Sequence, residues 1–271
     1  MIPKFNLHTH TTFCDGKNTV DEMVRAAIEL GCEGIGFSGH SYIPGEDYWT
    51  MTEKGTPKYI QEVLAAKEKY SNDIEILLGI EYDVLSNIDT SMFDYVIGSV
   101  HFVSGKKRII PVDLYKNELQ AAINENFGGD VYAFCEDYYN KLSEVDKKTN
   151  CDIVGHFDLV MKFNENGELF DVNDKRYKDM AFACLEKLSK KDLIFEINTG
   201  AISRGYRSVP YPYEYILKRM AELGLKITVT TDCHSAKDIL CQYGEAIQYA
   251  KSCGINELYY PKKGEFVPYL I

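Results

Sequence analysis

Every one of the six histidines of this 271-residue chain, His8, His10, His40, His101, His156 and His234, stands at or just past the end of a short apolar run. Histidines scattered through a core for packing would not all fall at such boundaries. Short apolar runs bounded by turn residues read as buried β-strands, so the histidines mark strand ends. Two compact pairs add weight, His8-Thr9-His10 and Asp232-Cys233-His234. Alternate residues of a strand face the same side, and each pair can aim two donors at one point. The pattern predicts a polynuclear metal site at one rim of a barrel.

Strands are read at residues 5–9, 34–38, 75–82, 95–102, 152–157, 193–198 and 226–231, and helices at 19–30, 56–70, 112–126, 131–147, 174–190, 212–223 and 236–252. Thr19 caps the first helix and Gly31 closes it. Pro57 suits the first turn of the second, and Gly128-Gly129 separates the third from the fourth. Strands separated mostly by helices imply a parallel sheet, and only the third and fourth strands lack a helix between them. An open, doubly wound sheet would gather its site at one crevice fed by a few strands. Here polar residues end six of the seven strands, which suits a closed ring. The expected fold is α/β, a distorted seven-stranded (β/α)7 barrel with its metal site at the C-terminal rim of the strands. Without linkers, low-complexity tracts or repeats, residues 1–271 read as a single domain.

The formal net charge of −11 argues against a basic nucleic-acid-binding face. A small anionic substrate stays compatible with it, because ions and local Arg or Lys reverse the sign inside a pocket. No apolar run approaches the length of a membrane span. The eight cysteines are dispersed with no CxxC pair, and Met1 is followed at once by a strand-like stretch that leaves no room for a secretory segment. The expectation is reduced thiols and a cytoplasmic protein.

Taken strand by strand, the ends offer His8 and His10 with Asp15 in the loop beyond, then His40, Glu81, His101, His156, and finally Asp232 and His234. Imidazole and carboxylate donors without thiolates suit Zn²⁺, Mn²⁺ or Fe²⁺ rather than a Cys-type structural zinc. Nine donors exceed the needs of one ion, so two or three divalent ions sharing a bridging carboxylate are expected.

The segments His-Thr-His-Thr-Thr-Phe-Cys-Asp-Gly at 8–16, Ser-Gly-His at 38–40, Gly-Ile-Glu at 79–81, Gly-Ser-Val-His at 98–101, Gly-His-Phe-Asp at 155–158 and Thr-Asp-Cys-His at 231–234 resemble the motifs of the PHP (polymerase and histidinol phosphatase) superfamily. The resemblance spans nearly the whole chain in the right order, and it is strongest to the histidinol-phosphate phosphatases of that superfamily. It implies a trinuclear centre. His8, His10, Glu81 and Asp232 would hold one ion, and Glu81 would bridge to a second held by His101 and His156. Asp15, His40 and His234 would hold the third. Gly39 stands where many members carry an acid, and Lys162 where the phosphatases often carry an arginine.

The activity implied is phosphomonoester hydrolysis, with L-histidinol phosphate as the expected small phosphorylated substrate. A metal-bridging hydroxide would attack phosphorus in line, with Glu81, Asp232, His234 and Arg204 as the catalytic set. Arg204 follows the one strand without a metal ligand and suits a phosphate by its planar fork. Lys162 and Arg207 are further candidates for the phosphate, and the loop at 44–55, with Trp49, could cover the site. The alternatives are a protein-tyrosine phosphatase of the same superfamily, another phosphoesterase, a metal-dependent amidohydrolase, and a non-catalytic metal-binding module.

Overall fold

The computed structural model describes residues 2–106, 108–113 and 115–271. Its first half runs β1 (Phe5–Asn6), α1 (Val20–Glu29), β2 (Gly34–Phe37), α2 (Gly55–Lys69), β3 (Glu75–Asp83), β4 (Tyr95–Ser99), β5 (Phe102–Ser104), β6 (Ile109–Pro111), α3 (Lys116–Phe127) and α4 (Val131–Leu142). The second half runs α5 (Val145–Thr149), β7 (Ile153–Val154), α6 (Lys175–Leu188), β8 (Ile194–Asn198), α7 (Gly200–Ser203), α8 (Glu214–Glu222), β9 (Lys226–Thr230), α9 (Tyr243–Ser252), β10 (Glu257–Lys262) and β11 (Glu265–Leu270). No helix among the described residues is long and apolar enough to cross a membrane.

Seven parallel strands form one sheet in the order β1-β2-β3-β4-β7-β8-β9. The two ends of the sheet meet. Thr9 bridges Cys233 in parallel, with His10 N donating to Cys233 O at 2.9 Å and Cys233 N to His8 O at 3.2 Å. Below this bridge the Asn6 side chain stitches β1 to the Thr231 backbone and hydroxyl. The open-sheet alternative is thereby excluded, and the ring is nearly closed. Strands buried on both faces favour apolar runs, as Gly34–Phe37 supplies, whereas the equally buried Ile194–Asn198 carries Glu196 and Asn198. Tyr95 is buried in the barrel interior against two glycines, in β2 and β3. A Cβ on Gly36 or Gly79 would fall 2.3 or 2.2 Å from Tyr95 side-chain atoms, and the Tyr95 hydroxyl crosses the barrel to donate to Leu7 O. This ring forms a floor beneath the strand ends.

Several predicted boundaries are corrected. The first strand pairs with β2 over Phe5–Asn6 only, because beyond Leu7 the chain turns its histidines to the rim. The predicted strand at 95–102 breaks after Ser99. His101 N donates to the Asp83 carboxylate at 2.9 Å instead of joining a ladder, and Phe102–Ser104 folds back as an antiparallel hairpin with Ile109–Pro111. The third helix therefore starts at Lys116 rather than 112; Leu114, within its predicted span, lies outside the described residues, as does Met1. The fourth helix stops at Leu142, followed by the single turn α5. The last helix begins at Tyr243, since Gln242 adopts a left-handed φ of 55°. The C-terminal hairpin β10–β11 is absent from the sequence reading. Its turn, Lys263-Gly264, has positive φ at both residues, as a tight two-residue hairpin turn requires.

Candidate metal centre

All nine predicted ligands converge at the C-terminal rim, and Glu81 is their hub. Glu81 belongs to β3, and its parallel bridge to His40 brings the end of β2 alongside. Its Oε1 lies 2.9 Å from His156 Nε2 and 3.3 Å from His101 Nε2. Its Oε2 lies 3.3 Å from His8 Nε2, 3.6 Å from His10 Nε2 and 2.7 Å from His40 Nδ1. Asp232 Oδ1 stands 3.1 Å from His10 Nε2 and 3.7 Å from His8 Nε2. Asp15 Oδ1 stands 3.2 Å from His234 Nε2 and 3.6 Å from His40 Nε2. Asp232 is held at φ 45°, a left-handed conformation uncommon outside glycine. Gly200 makes room for it, since a Cβ there would fall 2.8 Å from Asp232 Oδ2.

These residues fit metal ions. His8 Nε2, His10 Nε2 and Glu81 Oε2 are buried, face one another and make no hydrogen bond. A buried polar atom without a partner is costly. Two donors each about 2.1 Å from one tetrahedral ion lie about 3.4 Å apart, which is the spacing seen here. The donors also fall into overlapping groups: His8, His10 and Asp232; His40, Glu81 and His101; and His10, Asp15, His40 and His234.

The electrostatics agree. Burial opposes ionisation of Glu81, yet His40, His8 and His101 outweigh it and hold the carboxyl well below its usual range. Burial likewise loses at Asp232, where Arg204 and His8 keep the carboxylate charged. Burial alone would strip the proton from His8, but Glu196, Asp232 and Glu81 raise its pKa well above the ordinary imidazole value. The same contest, won by Glu81 and Asp83, raises His101. His10 is lowered to about 3 by burial together with His234 and His40. Without ions, protons on His8 and His101 offset part of the carboxylate charge; ions would displace those protons.

An outer ring that the sequence reading missed orients these ligands. Glu196 Oε2 lies 2.9 Å from His8 Nδ1 and accepts from Thr230 Oγ1 at 2.8 Å. Its Oε1 accepts from His156 N at 2.6 Å and Asn198 Nδ2 at 2.8 Å. Asp83 Oδ2 lies 3.1 Å from His101 Nδ1. Glu196 is visible in the sequence as a charge inside a strand, two residues before Asn198, and Asp83 as a charge at the end of one, two residues after Glu81. Glu196→Gln keeps the shape but loses the charge that fixes His8. It is expected to weaken metal affinity about 10- to 100-fold, read by competition with a calibrated chelator.

The ligands floor a cavity of about 550 Å³. Trp49 forms one wall, edge-on to His40 and His101 with ring centroids 4.7 and 5.3 Å away, and its Nε1 donates to Glu46 Oε2 at 2.8 Å. Arg204 also lines the cavity, with Nη2 3.2 Å from Asp232 Oδ2 and Nη1 2.9 Å from His234 Nδ1. Lys162 reaches the cavity but its Nζ is held by Asp113, at 2.6 Å from the backbone O and 3.1 Å from Oδ2. Arg207 is not brought to the phosphate end. It lies behind the wall, donating to Met161 O at 2.9 Å and Val209 O at 3.2 Å, with its guanidinium over the Tyr211 ring. Those carbonyls and that ring occupy it.

Fold and site together define a class: a seven-stranded α/β barrel with clusters of imidazole and carboxylate donors at its rim that could bind metal. The chain belongs to the PHP domain family, whose pattern matches residues 6–200. It is 26% identical over 283 residues to a Schizosaccharomyces pombe protein named as a probable histidinol-phosphatase, covering 95% of this chain and 89% of that one. A crystal structure of histidinol phosphate phosphatase from Lactococcus lactis, complexed with Zn, L-histidinol and phosphate, superimposes with a TM-score of 0.68 at 25% identity, covering 98% of this chain and all of that one. A Listeria monocytogenes structure shares the fold with a TM-score of 0.76 at 21% identity, covering 89% of this chain and 99% of that chain.

Proposed function

We propose that this chain is a metal-dependent phosphomonoesterase that hydrolyses L-histidinol phosphate to L-histidinol and phosphate. It is an enzyme of the histidinol-phosphatase type, a phosphoric monoester hydrolase, as its relatives over nearly the whole chain are. The observation that carries the metal dependence is the set of buried, unpartnered donor atoms around Glu81. His8, His10, Glu81 and Asp232 would hold one ion, His101 and His156 a second shared through Glu81, and Asp15, His40 and His234 a third. The opposed faces of Glu81 support the separation of the first two positions, with Oε1 toward His101 and His156 and Oε2 toward His8 and His10, while His40, placed with the third, also lies 2.7 Å from Oε2. When bound, the ions supply Lewis acidity toward phosphate oxygens and a water acidic enough to ionise near neutral pH.

The chain's own groups do the rest. Arg204 offers a fixed, permanently charged fork to phosphate oxygens beside the ligands and offsets charge that develops there. Trp49 shields His40 and His101 from solvent. Lys162 adds positive charge to the wall, shared with Asp113.

Prolonged chelation is expected to abolish turnover of histidinol phosphate, with Mn²⁺, Fe²⁺ or Zn²⁺ restoring it, and gently purified protein should approach two or three ions per chain by elemental analysis. Because the raised pKa values of His8 and His101 keep them protonated in the ion-free protein near neutral pH, ion uptake should release protons and tighten as pH rises. Full turnover in rigorously metal-free protein would sink the reading. Preference for a phosphotyrosine peptide would move it to the tyrosine-phosphatase branch, and amide cleavage to an amidohydrolase.

A further inference from the structure

The cavity holds a carboxylate that phosphate chemistry alone does not require. Asp113 follows the β5–β6 hairpin, and its side chain is about a third exposed, 30%, toward the site cavity that it lines. A dianionic substrate should be repelled by it. Lys162, otherwise the obvious phosphate anchor on this wall, is buried and directs its ammonium at Asp113 and at the Tyr206 ring, 4.6 Å from the ring centroid. An ionised carboxylate has about four lone-pair sites. Among the described residues only Lys162 donates to this one, through Oδ2. Oδ1 therefore keeps acceptor capacity in a cavity that the aromatic side chains of Trp49, Phe102 and Tyr115 also line. A carboxylate beside aromatic faces is a receptor for a cation. Across the same cavity stand Arg204 and the metal ligands, a receptor for a dianion.

We infer that Asp113 is a specificity-determining residue that binds an ammonium carried close to the phosphate, so that the cavity selects phosphomonoesters of amino alcohols. The inference rests on the proposed phosphatase reading and deepens it. In L-histidinol phosphate the ammonium is on the carbon next to the phosphorylated one. Substrate phosphate and ammonium would thus lie side by side, the phosphate toward Arg204 and the metal ligands and the ammonium toward Asp113. Asp113 also discriminates by penalty: a phenyl phosphate brings the dianion without the cation and leaves the carboxylate with Lys162 as its one cationic partner among the described residues. Phosphotyrosine, whose ammonium lies a ring's length from its phosphate, pays the same penalty.

The test compares L-histidinol phosphate with its des-amino analogue and reads the ratio of their kcat/KM values. In the wild type the ratio should favour the amine by about tenfold or more, as one charged hydrogen bond gives. Asp113→Asn should bring the ratio near unity, chiefly by raising KM for the amine substrate, and Asp113→Glu should keep part of it. Damage to the wall, or release of Lys162, would change both substrates together and leave the ratio alone. A wild-type ratio near unity overturns the inference, whatever the variant does. So does a ratio that Asp113→Asn leaves unchanged. The same comparison is made with phosphoethanolamine and ethyl phosphate as inhibitors of p-nitrophenyl phosphate hydrolysis. Absence of histidinol phosphate turnover then counts against the proposed substrate, whereas equal inhibition by the two phosphates counts against the role of Asp113.

Discussion

Glu81→Gln is expected to empty two metal positions at once and to lower turnover at least about a thousandfold. Loss of an outer partner of a ligand typically costs roughly 10–100-fold, and Glu81 is a ligand candidate itself, facing five histidines with its two oxygens. The amide keeps the side chain's length but removes its charge and replaces one oxygen by a donor. That donor would face imidazole nitrogens whose lone pairs are needed for metal. Asp15→Asn is the matched control. Asp15 sits at the edge of the cluster with its side chain 34% exposed, near His40 and His234 only through Oδ1. It should thin one position and spare the others. Elemental analysis beside kinetics separates the two outcomes. If both variants keep full metal content and wild-type turnover, the ligand assignment is wrong.

The donors at the rim are legible in the sequence because each follows an apolar run, and a parallel barrel puts all such ends on one face. Glu196, within β8, and Asp83, at the end of β3, escape because an acid in or at the end of a strand has no local signature of its target. Its partners, His8 and His101, come from other strands, more than a hundred residues away for the first. The β5–β6 hairpin is masked by the continuity of the apolar run from Tyr95 to Val103, within which only the capture of His101 N by Asp83 marks the break. The hairpin delivers Asp113 to the cavity wall. The opposite error is made at Arg207, whose position near Arg204 suggests phosphate. Tyr206 N and Arg207 N both turn back to Ala201 O, and the chain carries the Arg207 side chain behind the wall. Charge and proximity in sequence do not report which side of a loop a side chain leaves.

Arg204→Ala is expected to lower kcat/KM for histidinol phosphate by about 10²–10³, equivalent to roughly 2–4 kcal/mol of lost charge-assisted contact in the transition state. On sequence grounds the metal content should be untouched. The structure changes that expectation. Arg204 Nη2 neutralises Asp232 at 3.2 Å, so its loss should also weaken metal retention modestly. The proton count at His234 decides how much of the guanidinium remains for phosphate. Nδ1 of His234 lies 2.9 Å from Arg204 Nη1 and 3.0 Å from the Asp232 backbone O. Arginine cannot accept a hydrogen bond, so the contact with Nη1 requires a bare Nδ1. If Nε2, which faces Asp15, is given to an ion, a neutral His234 must carry its one proton on Nδ1. That proton goes to Asp232 O, and Nη1 is released. Nε of Arg204 is buried and without a partner in any case. Nη1 of the planar fork is then available to a phosphate oxygen, while Nη2 stays with Asp232 and the sealed Nε points along the other edge. Arg204→Lys should therefore recover only part of the activity, because an ammonium is a point charge without that fork. Product inhibition by phosphate should weaken in Arg204→Ala by the share of the contact already present in the ground state. Wild-type kinetics and unchanged phosphate inhibition in Arg204→Ala would show that Arg204 serves the ligands alone, and that the phosphate is held by the ions and Lys162.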